Sequence, residues 1–447
     1  MTNIIRAFWG ALAIVALLWG LATPDPFSSE TFLALRNNMV QLSGLLAMAC
    51  MSLAMILALR PRLLERPLGG LDKMYRLHKW FGIGALVLAV THWFWTQAPK
   101  WGTGIGLMQR GPRPPRPPVE NPVEAAFLGL RHTAEGLGEW AFYGAVVLIV
   151  VALVTRIPYR WFQQIHRLFP VAYLVLVFHA VVLFDFDIWL TPAGALLALL
   201  LVGGSGAALV SIFGAIGRRR RVEGRITSLV SFPGVRALET VIAMQPGWPG
   251  HRPGQFAFAV SDRREGAHPY TIASAWNPAE PEIRFVTKEL GDHTTGLAEK
   301  LHVGQQVRIE GPYGCFTFDD ACPVQIWVGG GIGITPFIAR MKAMAQGDPK
   351  GAEKEVHLFH CTADVDEGAL DRLKADAAAA GVTLHILIDA RDGVLTGARI
   401  RREVPGWREA SVWFCGPAGF GRALRADFAG QGLKVGTRFH QELFAMR

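Results

Sequence analysis

The chain has 447 residues, of which 51% are hydrophobic and 18% charged, with a formal net charge of +9. That balance is too apolar for an ordinary soluble enzyme. Much of the basic charge flanks apolar runs, where it orients helices rather than binding phosphates, so no nucleic-acid partner is expected. The five cysteines show no CxxC pairing, which argues against a disulfide framework or an iron–sulfur site.

Apolar runs crowd the first 217 residues. A membrane crossing needs about 20 mostly apolar residues, and six runs qualify: 4–22, 39–59, 77–95, 136–155, 167–186 and 190–214. No small-residue cleavage site follows the first, so it reads as a retained helix. Arg6 can snorkel from near its end. Basic residues fill alternate connections: Arg60, Arg62, Arg66, Lys73, Arg76 and Lys79; then Arg156, Arg160 and Arg167; then Arg218–Arg221. The opposite connections hold Arg36 alone, or the acidic Asp185 and Asp187. This places the N-terminus and everything after residue 217 on the cytoplasmic side. The loop 96–135 departs from the pattern, with Lys100, Arg110, Arg113, Arg116 and Arg131. Its Pro-rich stretch at 111–118 should be extended.

Four histidines carry chemistry here. His78 and His92 lie fourteen residues apart on the third run, and His166 and His179 thirteen apart on the fifth. At 1.5 Å per residue those separations are about 21 Å and 19.5 Å. Both helices run outward, so His78 is level with His166 and His92 with His179. Each level offers two imidazoles, which suits a six-coordinate haem iron. The competing reading is separate core histidines or a proton path; ionisable groups within spans are functional by default. Fourteen residues return a side chain to within about 40°, but thirteen leave it about 140° away. Pro170 removes a donor opposite the His166 carbonyl and predicts a distorted first turn. His132 has no such partner and reads as a loop residue. Arg76, Lys79, Arg160 and Arg167 lie at the inner level, as haem-propionate partners or as simple anchors.

From Val222 short alternating runs begin: Glu223–Val230, Arg236–Met244, Gln255–Val260, Glu282–Lys288 and Gln306–Glu310. Their spacing suggests a small antiparallel β-barrel over 222–320. Afterwards the strands Val324–Val328, Glu355–His360, Thr383–Ile388 and Ser411–Cys415 alternate with the helices Pro336–Ala345, Gly368–Ala380 and Gly419–Ala429. That is a parallel α/β nucleotide-binding layout over 321–447. Gly329–Pro336 joins the first strand to its helix. Its glycines let backbone approach a pyrophosphate at a helix N-terminus; a tight strand–helix turn without a ligand is the weaker, competing reading.

In this order the four histidines, His268-Pro269-Tyr270-Thr271-Ile272-Ala273-Ser274, Gly311-Pro312-Tyr313-Gly314, the Gly329–Pro336 loop and Cys415-Gly416-Pro417 resemble the NADPH oxidase and ferric reductase superfamily. The likeness runs from about Tyr75 to the C-terminus, with a ferredoxin-NADP-reductase-like second half. It implies a membrane all-α six-helix bundle binding two haems b, an antiparallel β-barrel FAD domain and an α/β NAD(P)-binding domain, over 1–217, 222–320 and 321–447. The resemblance implies FAD held by His268, Pro269, Tyr270, Thr271 and Ser274, with His293, Thr294 and Thr295 at its pyrophosphate. Gly331, Gly333, Thr335 and Pro336 would take NADH or NADPH, beside Cys415, Gly416 and Pro417. Phe444 would cover the flavin face, and Thr271 and Cys415 would join it at the reacting atoms. Tyr313 reads equally as flavin contact or core.

Two departures bear on substrate. The stretch His360-Cys361-Thr362-Ala363-Asp364 lacks the arginine that holds a 2′-phosphate, which favours NADH unless Arg391, Arg399 or Arg401 folds over. Thr96 stands where oxidases of the family have a further histidine, which weakens oxygen as the acceptor. The implied function is electron transfer from cytosolic NAD(P)H through FAD and two haems, across a bacterial inner membrane, to oxygen or a ferric chelate. The alternatives are a periplasmic redox partner as acceptor, or a non-catalytic haem or flavin sensor.

Overall fold

A computed structural model describes residues 2–23, 26–27, 31–106, 119–154, 156–157, 159–260, 266–291, 294–348 and 353–442. The chain forms two compact units. Among the described residues, one comprises those up to 68 and 73–216, and the other 69–72 and 217–442.

The first unit is helical: α1 (Thr2–Ala22), α2 (Phe32–Ala58), α3 (Arg62–Leu68), α4 (Leu71–Gly104), α5 (Pro122–Leu153), α6 (Tyr159–His166), α7 (Phe169–Leu183) and α8 (Pro192–Ile212). Among the described residues five stretches are long and apolar enough to cross a membrane: Asn3–Ala22, Phe32–Ala58, Pro122–Leu153, Trp161–Leu183 and Pro192–Ile212. The remaining expected crossing, 77–95, is the middle of α4. That helix is long enough but carries Lys73, Arg76, His78, Lys79 and His92, which dilute its apolar character. In α8 the large Leu199 and Val202 are 70% and 72% exposed, while Gly204, Ala207 and Ala208 are buried. Small residues inside and large apolar ones outside suit helices packed together in lipid. Gly204 leaves room for the buried Tyr173 phenol, which shares a 2.8 Å hydrogen bond with Ser52 and so ties α7 to α2.

The expected loop 96–135 is largely helix. α4 continues to Gly104, and α5 begins at Pro122, where Asn121 Oδ1 accepts from the Val123 N–H at 2.9 Å. Backbone hydrogen bonding does not stop where hydropathy does. The proline-rich stretch at 111–118 lies outside the described residues.

The second unit holds two sheets. The strands β1 (Arg221–Phe232), β2 (Ala237–Met244), β3 (Phe256–Val260), β4 (His268–Thr271), β5 (Glu282–Lys288) and β6 (Gln306–Tyr313) are antiparallel in the order β4-β3-β6-β1-β2-β5. The expected closed barrel is instead an open sheet. Among the described residues its edges form no ladder: they meet at the isolated Ile272–Phe285 bridge and at the Ala273 N–H to Arg284 carbonyl bond of 2.7 Å, and β4 is only four residues long. Ile226, Ile242, Ile283 and Ile309 form its core.

The strands β7 (Val324–Gly330), β8 (Glu355–Thr362), β9 (Thr383–Ile388), β10 (Ser411–Cys415) and β11 (Phe439–Gln441) are parallel in the order β11-β10-β7-β8-β9. Ile326 and Val328 pack into one apolar layer and Trp327 into another. A parallel sheet buried on both faces requires that arrangement.

Asp320 knots the base of this sheet. It accepts hydrogen bonds from Lys354 at 2.8 Å, Ser411 at 2.6 Å, Trp413 Nε1 at 2.9 Å and the Cys322 N–H at 2.9 Å. Burial works to raise its carboxyl, but Lys354, Ser411, the Cys322 N–H and Trp413 together hold it below the ordinary range. A depressed carboxyl contributes stability above its unfolded value near about 3.9, and that contribution is lost as pH falls through the folded value. Asp320→Ala should therefore lower unfolding free energy by about 3 kcal/mol at neutral pH. The deficit should shrink below about pH 4, as read by urea titration with tryptophan fluorescence.

Candidate functional site

α4 and the α6–α7 pair bring the four membrane histidines together as two couples. The His78 and His166 ring centroids are 6.0 Å apart with planes at 76°, and those of His92 and His179 are 6.2 Å apart at 83°. Two imidazole–metal bonds of about 2 Å, plus two ring radii, sum to about 6 Å. One metal ion therefore fits between the rings of each couple. Among the described residues no three His, Cys, Asp or Glu side chains converge as a metal site. Two protein ligands per site suit a metal that brings its own equatorial ligands, which is the donor set of a bis-histidine haem.

The outer nitrogens set the tautomers. His78 Nδ1 donates to the Ala54 carbonyl at 2.9 Å, His92 Nδ1 to Val40 at 2.9 Å and His179 Nδ1 to Ala134 at 2.8 Å. A carbonyl can only accept, so each of these Nδ1 atoms carries hydrogen and each Nε2 keeps its lone pair for a metal. Ala54 and Val40 are fourteen residues apart on α2, which matches the His78–His92 spacing on α4. His166 ends α6, and α7 restarts at Phe169 with Pro170 in its first turn. That break is the distortion the thirteen-residue spacing required.

Sequence reasoning missed the residues packed on these rings. A Cβ on Gly138 would overlap the His179 ring, and one on Gly44 would lie 3.1 Å from His92. Glycines are ordinary in membrane helices, so neither carried a signal. Arg36 was noticed only as a loop charge. It donates to the Trp95 carbonyl at 3.1 Å, which Pro99 four residues on cannot serve, and to Thr96 O at 3.3 Å. Gly138→Ala should displace the His179 ring and, where each couple holds one haem, should lower the haem content read by haemochrome assay. Gly144→Ala, whose Cβ would meet nothing within 4 Å, should leave it unchanged.

In the second unit, β7 and β10 are neighbours, so their C-terminal loops meet. A Cβ on Gly333 would strike the Cys415 carbonyl, and one on Gly330 would lie 2.9 Å from Pro417 Cδ. Gly331 adopts φ +55, and its Cβ would face open space. Bare backbone on the open side, followed by the helix Thr335–Ala345, is a receptive surface for a pyrophosphate. Thr335 is buried and donates to the Ile332 carbonyl at 2.6 Å, and Pro336 starts the helix. Cys415 is fully buried. Burial first, and then the Glu442 carboxylate, push its thiol well above the ordinary value, so it stays protonated at neutral pH. Glu442, buried itself, gave no signal in the sequence.

The flavin motif occupies the edge strand β4, where His268, Pro269, Tyr270 and Thr271 are all half-buried. Tyr270 packs 5.7 Å from Phe285. Ser274 is buried; its hydroxyl accepts from the Arg284 N–H at 3.1 Å, and its carbonyl lies 3.1 Å from His251 Nε2. Burial holds His251 neutral, with its pKa lowered to about 4. Thr294 Oγ1 accepts from the Leu290 N–H at 2.9 Å, and Thr295 Oγ1 donates to the Gly291 carbonyl at 3.0 Å. Thr294 also lines a cleft of about 250 Å³ with Arg236 and Glu289. Tyr313 is in the core and donates to Glu310 at 2.8 Å. His293 and Phe444 lie outside the described residues.

Asp364, expected to repel a 2′-phosphate, accepts from Lys288 Nζ at 2.7 Å and lies 3.7 Å from Arg236. The hydrogen bond from Lys288 leads in holding its carboxyl below the usual range. Two cations already offset that charge, so Asp364 alone does not decide between NADH and NADPH.

Residues 43–177 match the family described as ferric reductase like transmembrane component. The chain is 29% identical over 211 residues to the stachydrine N-demethylase reductase subunit Stc4 of Rhizobium meliloti, covering 43% of this chain and 58% of that one. It is 30% identical over 215 residues to an NADPH oxidoreductase of Mycobacterium tuberculosis, covering 45% and 55%. It is 25% identical over 338 residues to ferric reduction oxidase 8, mitochondrial, of Arabidopsis thaliana, covering 70% and 41%. The chain spans about half the length of these curated relatives.

Proposed function

We propose that this chain, which belongs to the NADPH oxidase and ferric reductase superfamily, is a membrane oxidoreductase. It moves electrons from NADH or NADPH, through FAD and two haems b, to an acceptor on the far side of a bacterial inner membrane. The observation that carries this reading is the pairing of four histidines into two couples, each spaced for one metal ion. When bound, FAD exchanges a hydride for single electrons, and haem iron carries those electrons one at a time.

The residues supply binding and orientation. His78 with His166, and His92 with His179, hold the two haems. The carbonyls of Ala54, Val40 and Ala134 fix three of the rings. His268, Pro269, Tyr270, Thr271 and Ser274 hold the flavin, with His293, Thr294 and Thr295 at its phosphates. Gly331, Gly333, Thr335 and Pro336 take the nucleotide phosphates at a helix N-terminus. Cys415, Gly416 and Pro417 press against that loop and bound the nicotinamide, with Thr271 and Phe444 on the flavin side. The positive-inside distribution of basic residues supports a cytoplasmic second unit and N-terminus. The acceptor is oxygen, a ferric chelate or a periplasmic redox protein. With two imidazoles on each iron, oxygen would be reduced without binding the metal.

An anaerobic experiment tests this. Haem-loaded protein in detergent is reduced with NADH or NADPH, then mixed with oxygen or with ferric citrate while the Soret band is followed. Reduction by nucleotide, followed by repeated turnover with either acceptor, is the expected result. Haems that never reduce with either nucleotide would refute the pathway, and a single reduction without turnover by any acceptor would indicate a sensor.

A further inference from the structure

The four imidazoles are not supported alike on their outer nitrogens. His78, His92 and His179 each donate Nδ1–H to a backbone carbonyl. His166 Nδ1 is buried and finds no hydrogen-bond partner among the described residues. Two phenyl rings flank it instead: Phe162 at 5.2 Å and 28°, and Phe169 at 6.0 Å and 23°. A hydrogen bond from Nδ1–H to a carbonyl raises the basicity of the ligating nitrogen, and a more basic ligand favours oxidised over reduced iron. The outer couple has two such ligands and the inner couple one. Apolar phenyl cover acts in the same direction, because it too disfavours the extra positive charge of oxidised iron.

We propose that His166, by lacking a partner, makes the His78–His166 site the more readily reduced of the two. An electron arriving from the flavin then rests at the inner level. Onward transfer to the outer level is then the less favourable step, drawn forward as the acceptor takes that one electron away. This inference rests on the two-haem reading above.

Spectroelectrochemical titration of the haem-loaded full-length protein tests it. Two one-electron waves are expected, at least tenfold apart in reduction equilibrium, or about 59 mV. His92→Ala with His179→Ala should leave the higher wave. Phe162→Gln, which puts an amide oxygen one turn from His166, should lower that wave alone. If the surviving wave is the lower one, or Phe162→Gln moves neither, the proposal is wrong. Should the double variant fail to load haem, Phe162→Gln in the otherwise intact protein decides by itself. Fewer than two haems per chain would instead sink the two-haem reading.

Discussion

An imidazole inside a hydrocarbon layer must account for both of its nitrogens, because no water is there to satisfy them. Most of the membrane unit can be read as an answer to that demand. α4 carries two histidines one face apart, and α2 presents two carbonyls at the same interval to receive their Nδ1 hydrogens. A helical carbonyl has a second lone pair, so it can accept from histidine without giving up its own helix bond. α5 supplies the third carbonyl. The Nε2 atoms of these three rings then keep their lone pairs.

The thirteen-residue interval on the fifth run would break this geometry in a straight helix. The chain resolves it by ending α6 at His166 and restarting at Phe169. The same break coincides with the one of these four histidines whose Nδ1 finds no partner among the described residues. Helix break and unpartnered imidazole nitrogen thus coincide at a single position.

Close backbone approach is the device shared by both units. Gly138 and Gly44 let helices reach the histidine rings, and Gly204 admits the Tyr173 phenol. In the second unit Gly330, Gly333 and Gly416 let two sheet-end loops touch with no side chain between them. Each of these positions is defined by what a Cβ would strike. Such a constraint leaves no periodic trace in the chain, whereas the Gly329–Gly333 cluster was conspicuous because it is concentrated.

Hydropathy, histidine spacing and alternating strand patterns were local signals, and they sufficed for the helical first half, the two sheets, the four histidines and the expected break near Pro170. They failed where the deciding contact lies far away in the chain. Ala134 and Gly138 meet His179 from about 40 residues upstream, and hydropathy had assigned Ala134 to a loop. Asp320 is one acidic residue among many until Lys354, Ser411 and Trp413 converge on it. Asp364 looked like a free carboxylate until Lys288 closed on it. Sheet closure depends on whether β4 and β5 extend a ladder, and the contacts between those distant segments stop at one bridge and one hydrogen bond among the described residues. The linear sequence therefore determined which elements form and which histidines share a level. Tertiary structure alone decided which donors and charges are already spent, because hydrogen bonds and ion pairs act over a few ångströms between residues that the chain keeps far apart.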